Sequence, residues 1–364
     1  MIINHIVSVL EQLAPPVYQE GYDNSGLLVG DASAEIEKVL VTLDCTEAIV
    51  DEAVQKGAGL IVAHHPIIFS GLKRLTGKNY IERTVIKAIK HNIAIYAIHT
   101  NLDNVRAGVN AKIGEKLALQ NLEILEPMSA KLYKLVTFVP LVHTAAVTQA
   151  MFSAGAGHIG NYADCSFIQE GTGSFRAMPG TNSFVGEQGK RHFEPEHKVE
   201  VLVPTHNKNK VIAAMIKAHP YEEVAYDLYK LENVNQELGA GMIGELKQPM
   251  QEDQFLNHVK AVLQTKSIRH TALLGKSVKR VAFCGGSGSF LLNRAIGSGA
   301  DVFITGDFKY HQFFDADGRV VIADVGHFES EQFTIELLAE YLMEKFPTFA
   351  VLKTEVNTNP IAYI

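Results

Sequence analysis

The sequence predicts an α/β protein in which a duplicated βαβ core is interrupted by an inserted ferredoxin-like α+β domain. Three observations carry this expectation. Short apolar runs such as KVLVTLD (38–44) and LIVAHH (60–65) are followed by helix-periodic stretches, the first ending in glycine. This alternation stops near residue 130 and resumes after residue 240. The two series also match each other. At an offset of 242 residues Val39 lies over Val281, Ala53 over Ala295, Gly57-Ala58 over Gly299-Ala300 and His65 over Asp307. Further on the offset slips to 228, placing His99 over His327 and Asp103 over Glu331. The resulting division is 1–129, 130–232 and 233–364, with the outer segments forming one core around one cleft at the strand ends.

Each element follows from its local pattern. Ile2, Ile3, Ile6, Val9, Leu10 and Leu13 have helical spacing, and Asn4, His5 and Glu11 interrupt the stretch as a signal peptide would not allow. KVLVTLD is a strand, TEAIVDEAVQKGAG (46–59) a helix, LIVAHH a strand, NYIERTVIKAIKHN (79–92) a helix and IAIYAIHTNLD (93–103) a strand. In the second series KRVAFCGG (279–286), DVFITGD (301–307) and RVVIADVGH (319–327) are strands. SFLLNRAIGSGA (289–300) and SEQFTIELLAEYLMEKF (330–346) are helices. Strands this apolar imply a sheet covered on both faces.

The intervening segment reads differently. KLYKLVTFVP, YADCSFIQEG, HKVEVLVPTH and EVAYDLYKL are strands, and TAAVTQAMFSAGAG and NKNKVIAAMIKAHP helices. A glycine-rich GTGSFRAMPGTNSF lies among them. Inserted domains are tolerated where chain ends meet at a surface. His158, His192, His197, His206 and His219 are read as surface or packing residues.

Bulk properties narrow the function. The 364 residues are 47% hydrophobic and 20% charged, and the net charge of −7 argues against nucleic acid as a main partner. Cys45, Cys165 and Cys284 are far apart, with no CxxC, so neither a structural zinc site nor a disulfide framework is indicated. A cytoplasmic setting is expected. No apolar run reaches bilayer length.

Three places cluster ligand-type residues. His64-His65 closes an apolar strand before Pro66, and two neighbouring imidazoles share a crevice only where the strand has ended. HTNLDN supplies His99, Asp103 and Asn104, and GHFESE supplies His327 and Glu331. Ser330 is a candidate N-cap, which puts His327 before a helix and Glu331 in its first turn. Alone, each has an ordinary reading: a capping pair, an Asx turn at Asn101 or Asp103, an exposed helical pair. Together, at the strand ends of one α/β fold, they point to a metal site. Imidazoles and carboxylates suit paired divalent ions, typically about 3.5–4 Å apart.

Other features weigh less. CGGSGSF (284–290) lacks a Walker lysine and reads as a tight glycine turn. Asp307 and His311 in TGDFKYH are candidates to orient ligands, or Asp307 to cap. Asp23 and Asn24 read as a turn or as pocket lining, and HPYEE (219–223) as a helix stop followed by solvated acids. No Ser/His/Asp set stands out, which leaves water activated by metal as the visible nucleophile.

YDNSGLLVG, AHHPIIF, HTNLDN, ITGDFKYH and GHFESE, in that order, resemble the Nif-three-like dinuclear metal-centre family, whose members carry the label GTP cyclohydrolase type 2 homologue. The resemblance spans nearly the whole chain. GTGSFR and HPYEEVAYD resemble the extra domain of the longer bacterial members, similar to PII and CutA folds. Carried over motif by motif, the resemblance implies metal ligands His64, His65, Asp103, His327 and Glu331, with Glu331 bridging two divalent ions. His99 then becomes a nearby non-ligand, and His99, Asp307 and His311 are proton-relay candidates. Tyr22 departs from the tryptophan many relatives carry before Asp-Asn. Zn, Fe, Mn, Co and Ni all suit this ligand set. The resemblance also implies a ring-shaped homohexamer and hydrolysis of a nucleotide-like small molecule, at a purine ring carbon or a phosphoester. The alternative is a metal-handling or regulatory protein that stores, delivers or senses metal without turnover.

Overall fold

The structure, a computed structural model, describes residues 1–364. Two compact units are present, one formed by Met1–Pro127 with Glu237–Ile364 and one by Met128–Gln236.

In the first unit, helix α1 (Ile3–Leu13) buries Ile3, Ile6, Val7 and Leu10 along one face. Strands β1 (Gly26–Val29), β2 (Lys38–Thr42), β3 (Leu60–Ala63) and β4 (Ala94–Ala97) follow, with α2 (Glu47–Lys56) and α3 (Tyr80–Lys90) between the last three. Helix α2 ends at Gly57, whose φ of 70° is the left-handed conformation that glycine adopts without strain. Asn79 caps α3 by accepting from the Glu82 N–H. Ile49, Val50 and Ala53 of α2 and Val85 and Ala88 of α3 pack with Leu40, Ile61 and Ile95 of the strands. Each large side chain so buried contributes roughly 1.5–3 kcal/mol. The strand expected over 93–103 stops at Ala97, and 100–103 is instead a helical turn, α4 (Thr100–Asp103). The polar HTNLD tail cannot extend a strand buried on both faces. Helix α5 (Val109–Lys116) and strand β5 (Gln120–Ser129) complete this half.

The second unit runs β6 (Leu132–Pro140), α6 (Thr144–Ser153), β7 (Ser166–Arg176), β8 (Arg191–Pro204), α7 (Lys208–Ala218) and β9 (Tyr226–Leu231). Its sheet order β7-β8-β6-β9, antiparallel throughout, is ferredoxin-like. The glycine-rich GTGSFR belongs to β7, because alternate glycines still satisfy a ladder with β8.

The chain returns through β10 (Val234–Gln251), α8 (Glu252–Val262), β11 (Arg269–His270), β12 (Ser277–Ser287), α9 (Leu292–Gly297), β13 (Val302–Gly306), β14 (Val321–Asp324), α10 (His327–Glu331), α11 (Thr334–Lys345) and β15 (Ala350–Lys353). The closing helix is therefore broken in two. Ser330 does not cap it: the Ser330 hydroxyl donates to the His327 carbonyl from within α10, and its oxygen accepts from the Gly286 N–H.

The first unit holds two sheets, β1-β4-β3-β2-β15 and β11-β14-β13-β12-β10-β5. Their cores repeat one topology. Strands β2, β3 and β4 are parallel in the order 4-3-2 with β1 antiparallel at β4. Strands β12, β13 and β14 are parallel in the order 14-13-12 with β11 antiparallel at β14. Val39 pairs with Leu60 and Val281 with Val302, the same register at an offset of 242. Leu60 pairs with Ala94 and Val302 with Val321, an offset of 227 rather than 228. The extra residue falls between β14 and His327, so His327 and His99 stand at slightly different distances from their strands.

Candidate metal centre

The parallel strands place their carboxyl ends along one edge, and the polar residues after them converge there. Beyond Ala63 the His64 and His65 amides still bond to Thr42 and Leu43 carbonyls. This holds both imidazoles just past the strand. His99 stands just before α4 and Asp103 ends it, whereas His327 and Glu331 begin and end α10.

Each of three imidazoles is fixed through Nδ1. His64 Nδ1 lies 2.8 Å from the Ile98 carbonyl oxygen, His65 Nδ1 2.7 Å from Asp44 Oδ1 and His327 Nδ1 2.7 Å from Asp307 Oδ2. These partners only accept, so Nδ1 carries the proton and Nε2 points inward. Inward lies Glu331. Its Oε2 is 3.0 Å from Nε2 of His65 and 3.0 Å from Nε2 of His327. Its Oε1 is 3.8 Å from Nε2 of His64, which is 3.5 Å from Asp103 Oδ1. Two groups able to hold a metal ion therefore share Glu331: His65 with His327, and His64 with Asp103. A third group joins His64, His65 and His99.

Glycines make room for this carboxylate. Gly286 has a φ of 61°, and a Cβ there would lie 2.3 Å from Glu331 Oε1. A Cβ on Gly306 would lie 2.8 Å from the His327 nitrogen. CGGSGSF is not the expected tight turn: Cys284–Ser287 ends β12 with a register shift between Phe283 and Ser287, and the bareness of its glycines admits α10 to the strand ends.

The electrostatics fit a cation. His64 Nε2 and Asp103 Oδ1 are buried without a hydrogen-bond partner, which is costly unless something binds them. Burial and then the Glu331 charge push Asp103 up to about 7. For Glu331 burial works upward, but the His327 charge and the hydrogen bonds from the His327 and His65 imidazoles outweigh it and hold the carboxylate well below its usual range. Burial opposes protonation of His65 and His327. Asp44 and Glu331 nonetheless raise His65 to about 10, and Glu331 and Asp307 raise His327 to about 11. A metal at Nε2 of either ring would compete with a proton there.

His99 stands beside this cluster, its ring centroid 5.3 Å from His64 and 5.4 Å from His65. Its Nδ1 is 2.8 Å from Oδ1 of the buried Asp23 carboxylate, which also accepts from the Thr100 N–H and hydroxyl. Burial opposes ionisation of Asp23, but the bonds from His99 and Thr100 hold its pKa far below the usual value. Asp23 thus does more than turn the chain: it anchors His99 and Thr100. Asp307 orients His327. His311 is exposed and packs with the Tyr310 and Phe314 rings, and it is in none of the three ligand groups. Sequence reasoning missed Asp44, which accepts from His65 on one oxygen and from the Thr358 hydroxyl on the other. Its position directly after KVLVTL, at the same sheet edge as His64, was the available signal.

The chain matches the Duf34/NIF3 (NGG1p interacting factor 3) description over residues 1–360. It is 42% identical over 365 residues to a Halalkalibacterium halodurans protein named GTP cyclohydrolase 1 type 2 homolog, covering 99% of this chain and 98% of that one. A Bacillus subtilis protein of the same name is 39% identical, with the same coverage. The crystal structure of a Bacillus cereus protein related to NIF3 superposes with a TM-score of 0.87 at 40% identity, covering 100% of this chain and 99% of that one. No helix is long and apolar enough to cross a membrane. With a family match across nearly its whole length and relatives at this identity, the chain belongs to the Duf34/NIF3 family.

Proposed function

We propose that this protein holds two divalent metal ions on His64, His65, Asp103, His327 and Glu331 and hydrolyses a nucleotide-like small molecule. The observation that carries the reading is the division of Glu331, whose Oε2 faces His65 and His327 while Oε1 faces His64 beside Asp103. Divalent ions supply Lewis acidity and a nucleophile at neutral pH. The chain's own residues do the rest. Asp44, Asp307 and the Ile98 carbonyl keep the imidazoles in the tautomer that presents Nε2. Asp23 orients His99, which suits it to move a proton at Nε2.

The rim supports a planar substrate. Tyr22 and Phe69 stack with centroids 6.2 Å apart, both exposed, and Phe69 lies 6.2 Å from His99. The relatives' name, GTP cyclohydrolase 1 type 2 homolog, supports a purine nucleotide, with a ring carbon or a phosphoester as the point of attack. The proposal includes a cytoplasmic, ring-shaped homohexamer. Exposed Phe290, Tyr310 and Phe314 support association, and light scattering on the purified protein tests it.

The test of function is metal analysis followed by turnover of GTP and phosphoesters with Zn, Fe, Mn, Co and Ni in turn. Turnover abolished by His65→Ala supports the hydrolase. Tight, exchangeable metal without turnover of any of them overturns it in favour of metal handling.

A further inference from the structure

Two motifs that the metal centre does not use, EGTGSFR and HPYEE, meet within the unit Met128–Gln236. Residues 169–177 and 221–223 line much of a cavity of about 690 Å³, within the roughly 300–1,000 Å³ of small-molecule sites.

Its floor is a stretch of strand without side chains. Gly171 and Gly173 are two apart on β7 and share a face. A Cβ at Gly173 would lie 2.0 Å from Glu196 Oε2, whereas one at Gly171 would meet only the Glu196 carbonyl oxygen at 4.0 Å. The Glu196 side chain therefore lies over Gly173, and the residue is only 8% exposed. Its Oε1 accepts a 2.8 Å hydrogen bond from the Tyr221 hydroxyl. Tyr221 is itself braced. Its N–H donates to His219 Nδ1 at 3.1 Å, and His219 Nε2 donates to the Phe138 carbonyl at 2.9 Å.

The walls are aromatic. Phe184 and Phe175 stand 6.2 Å and 6.4 Å from the Tyr221 ring. Glu222 ties down the loop that carries Phe184 by accepting from the Asn182 N–H at 2.9 Å. The charge is predominantly acidic. Glu170, Glu196, Glu222 and Glu223 line the cavity against Arg176 and Lys198, and Lys198 Nζ is already 2.7 Å from Glu200. Anions are disfavoured here, while a cation between aromatic faces gains from both the rings and the carboxylate.

We propose that this cavity binds a flat organic cation of the amidinium or protonated N-heterocycle class, with its ring among Phe175, Phe184 and Tyr221 and its N–H groups on Glu196. The lining comes from the inserted unit alone, includes none of the candidate metal ligands, and takes a different ligand.

The test is calorimetric titration of the metal-loaded, full-length protein with benzamidinium, its neutral isostere benzamide and the anion benzoate. Benzamidinium should bind at least tenfold tighter than benzamide, and benzoate should not bind. Glu196→Gln should weaken benzamidinium at least tenfold. Gly171→Val, which fills the floor at a position with space and without a positive φ, should weaken it at least fivefold, as should Phe184→Ala at a half-exposed position. Metal content should be unchanged in all three. The proposal is overturned if benzamidinium fails to bind at millimolar concentration, if benzoate binds as well, or if Gly171→Val binds benzamidinium like the wild type.

Discussion

Asp44 holds His65: its Oδ1 lies 2.7 Å from the imidazole Nδ1, while its Oδ2 accepts from the Thr358 hydroxyl at 2.7 Å. A candidate metal ligand is thus aimed by a carboxylate, and the carboxylate by a residue near the far end of the chain. Losing such an outer partner typically costs about 10–100-fold in metal affinity. Asp44→Ala should weaken one ion by that order and Thr358→Val by less. Competition with a chromophoric chelator checks both. Equal affinity in Asp44→Ala and wild type would remove Asp44 from the site.

Glu331→Ala should lose both ions, because each of its oxygens faces a different pair of ligands. His327→Ala should lose mainly one. Elemental analysis of the variants distinguishes them, and full occupancy in Glu331→Ala would sink the bridging assignment.

The inserted unit should fold independently and supply no metal ligand. The chain leaves and re-enters the core on adjacent strands: a Cβ on Gly239 would lie 2.2 Å from the Glu126 carbonyl oxygen. Replacing residues 130–232 with a short Gly/Ser linker should therefore leave metal content unchanged. Loss of both ions from a folded, correctly assembled deletion variant would overturn this division.

His219 should make the inserted unit less stable in acid. Its Nδ1 accepts from the Tyr221 N–H and its Nε2 donates to a carbonyl, so the neutral ring is satisfied and the protonated ring would set N–H against N–H. Burial, first among the causes, lowers its pKa from 6.5. The unfolded chain then binds the proton at a higher pH than the folded one, so stability is full above about 6.5 and falls as pH drops through that value. One proton limits the slope to about 1.4 kcal/mol per pH unit. Hydrogen exchange of residues 128–236 between pH 7.5 and 5.5 should show the loss, and His219→Asn should flatten it. An unchanged slope in that variant would assign the effect elsewhere.

The repeated α/β series, the ferredoxin-like insertion and the three clusters of candidate ligand residues were legible in the sequence because each depends on near neighbours. Apolar spacing marks strands and helices, glycine marks their ends, and His64-His65, His99/Asp103 and His327/Glu331 sit where strands stop. Tertiary structure decided what these clusters do together. Whether Glu331 meets His65 depends on two sheets bringing positions 266 residues apart within 3.0 Å. The same holds for Thr358 on Asp44 and for Asp23 on His99, and for His311, which four-residue spacing linked to Asp307 but which is exposed on a short 3-10 helix, Tyr310–Ala316. Local spacing could not separate Ser330 as a cap from Ser330 as the acceptor for Gly286, since either role suits a hydroxyl near a helix start. Nor could it show that GTGSFR and HPYEE share a cavity. Side-chain type and periodicity are properties of the chain, whereas which polar atoms lose water together is set by the packing of elements distant in sequence.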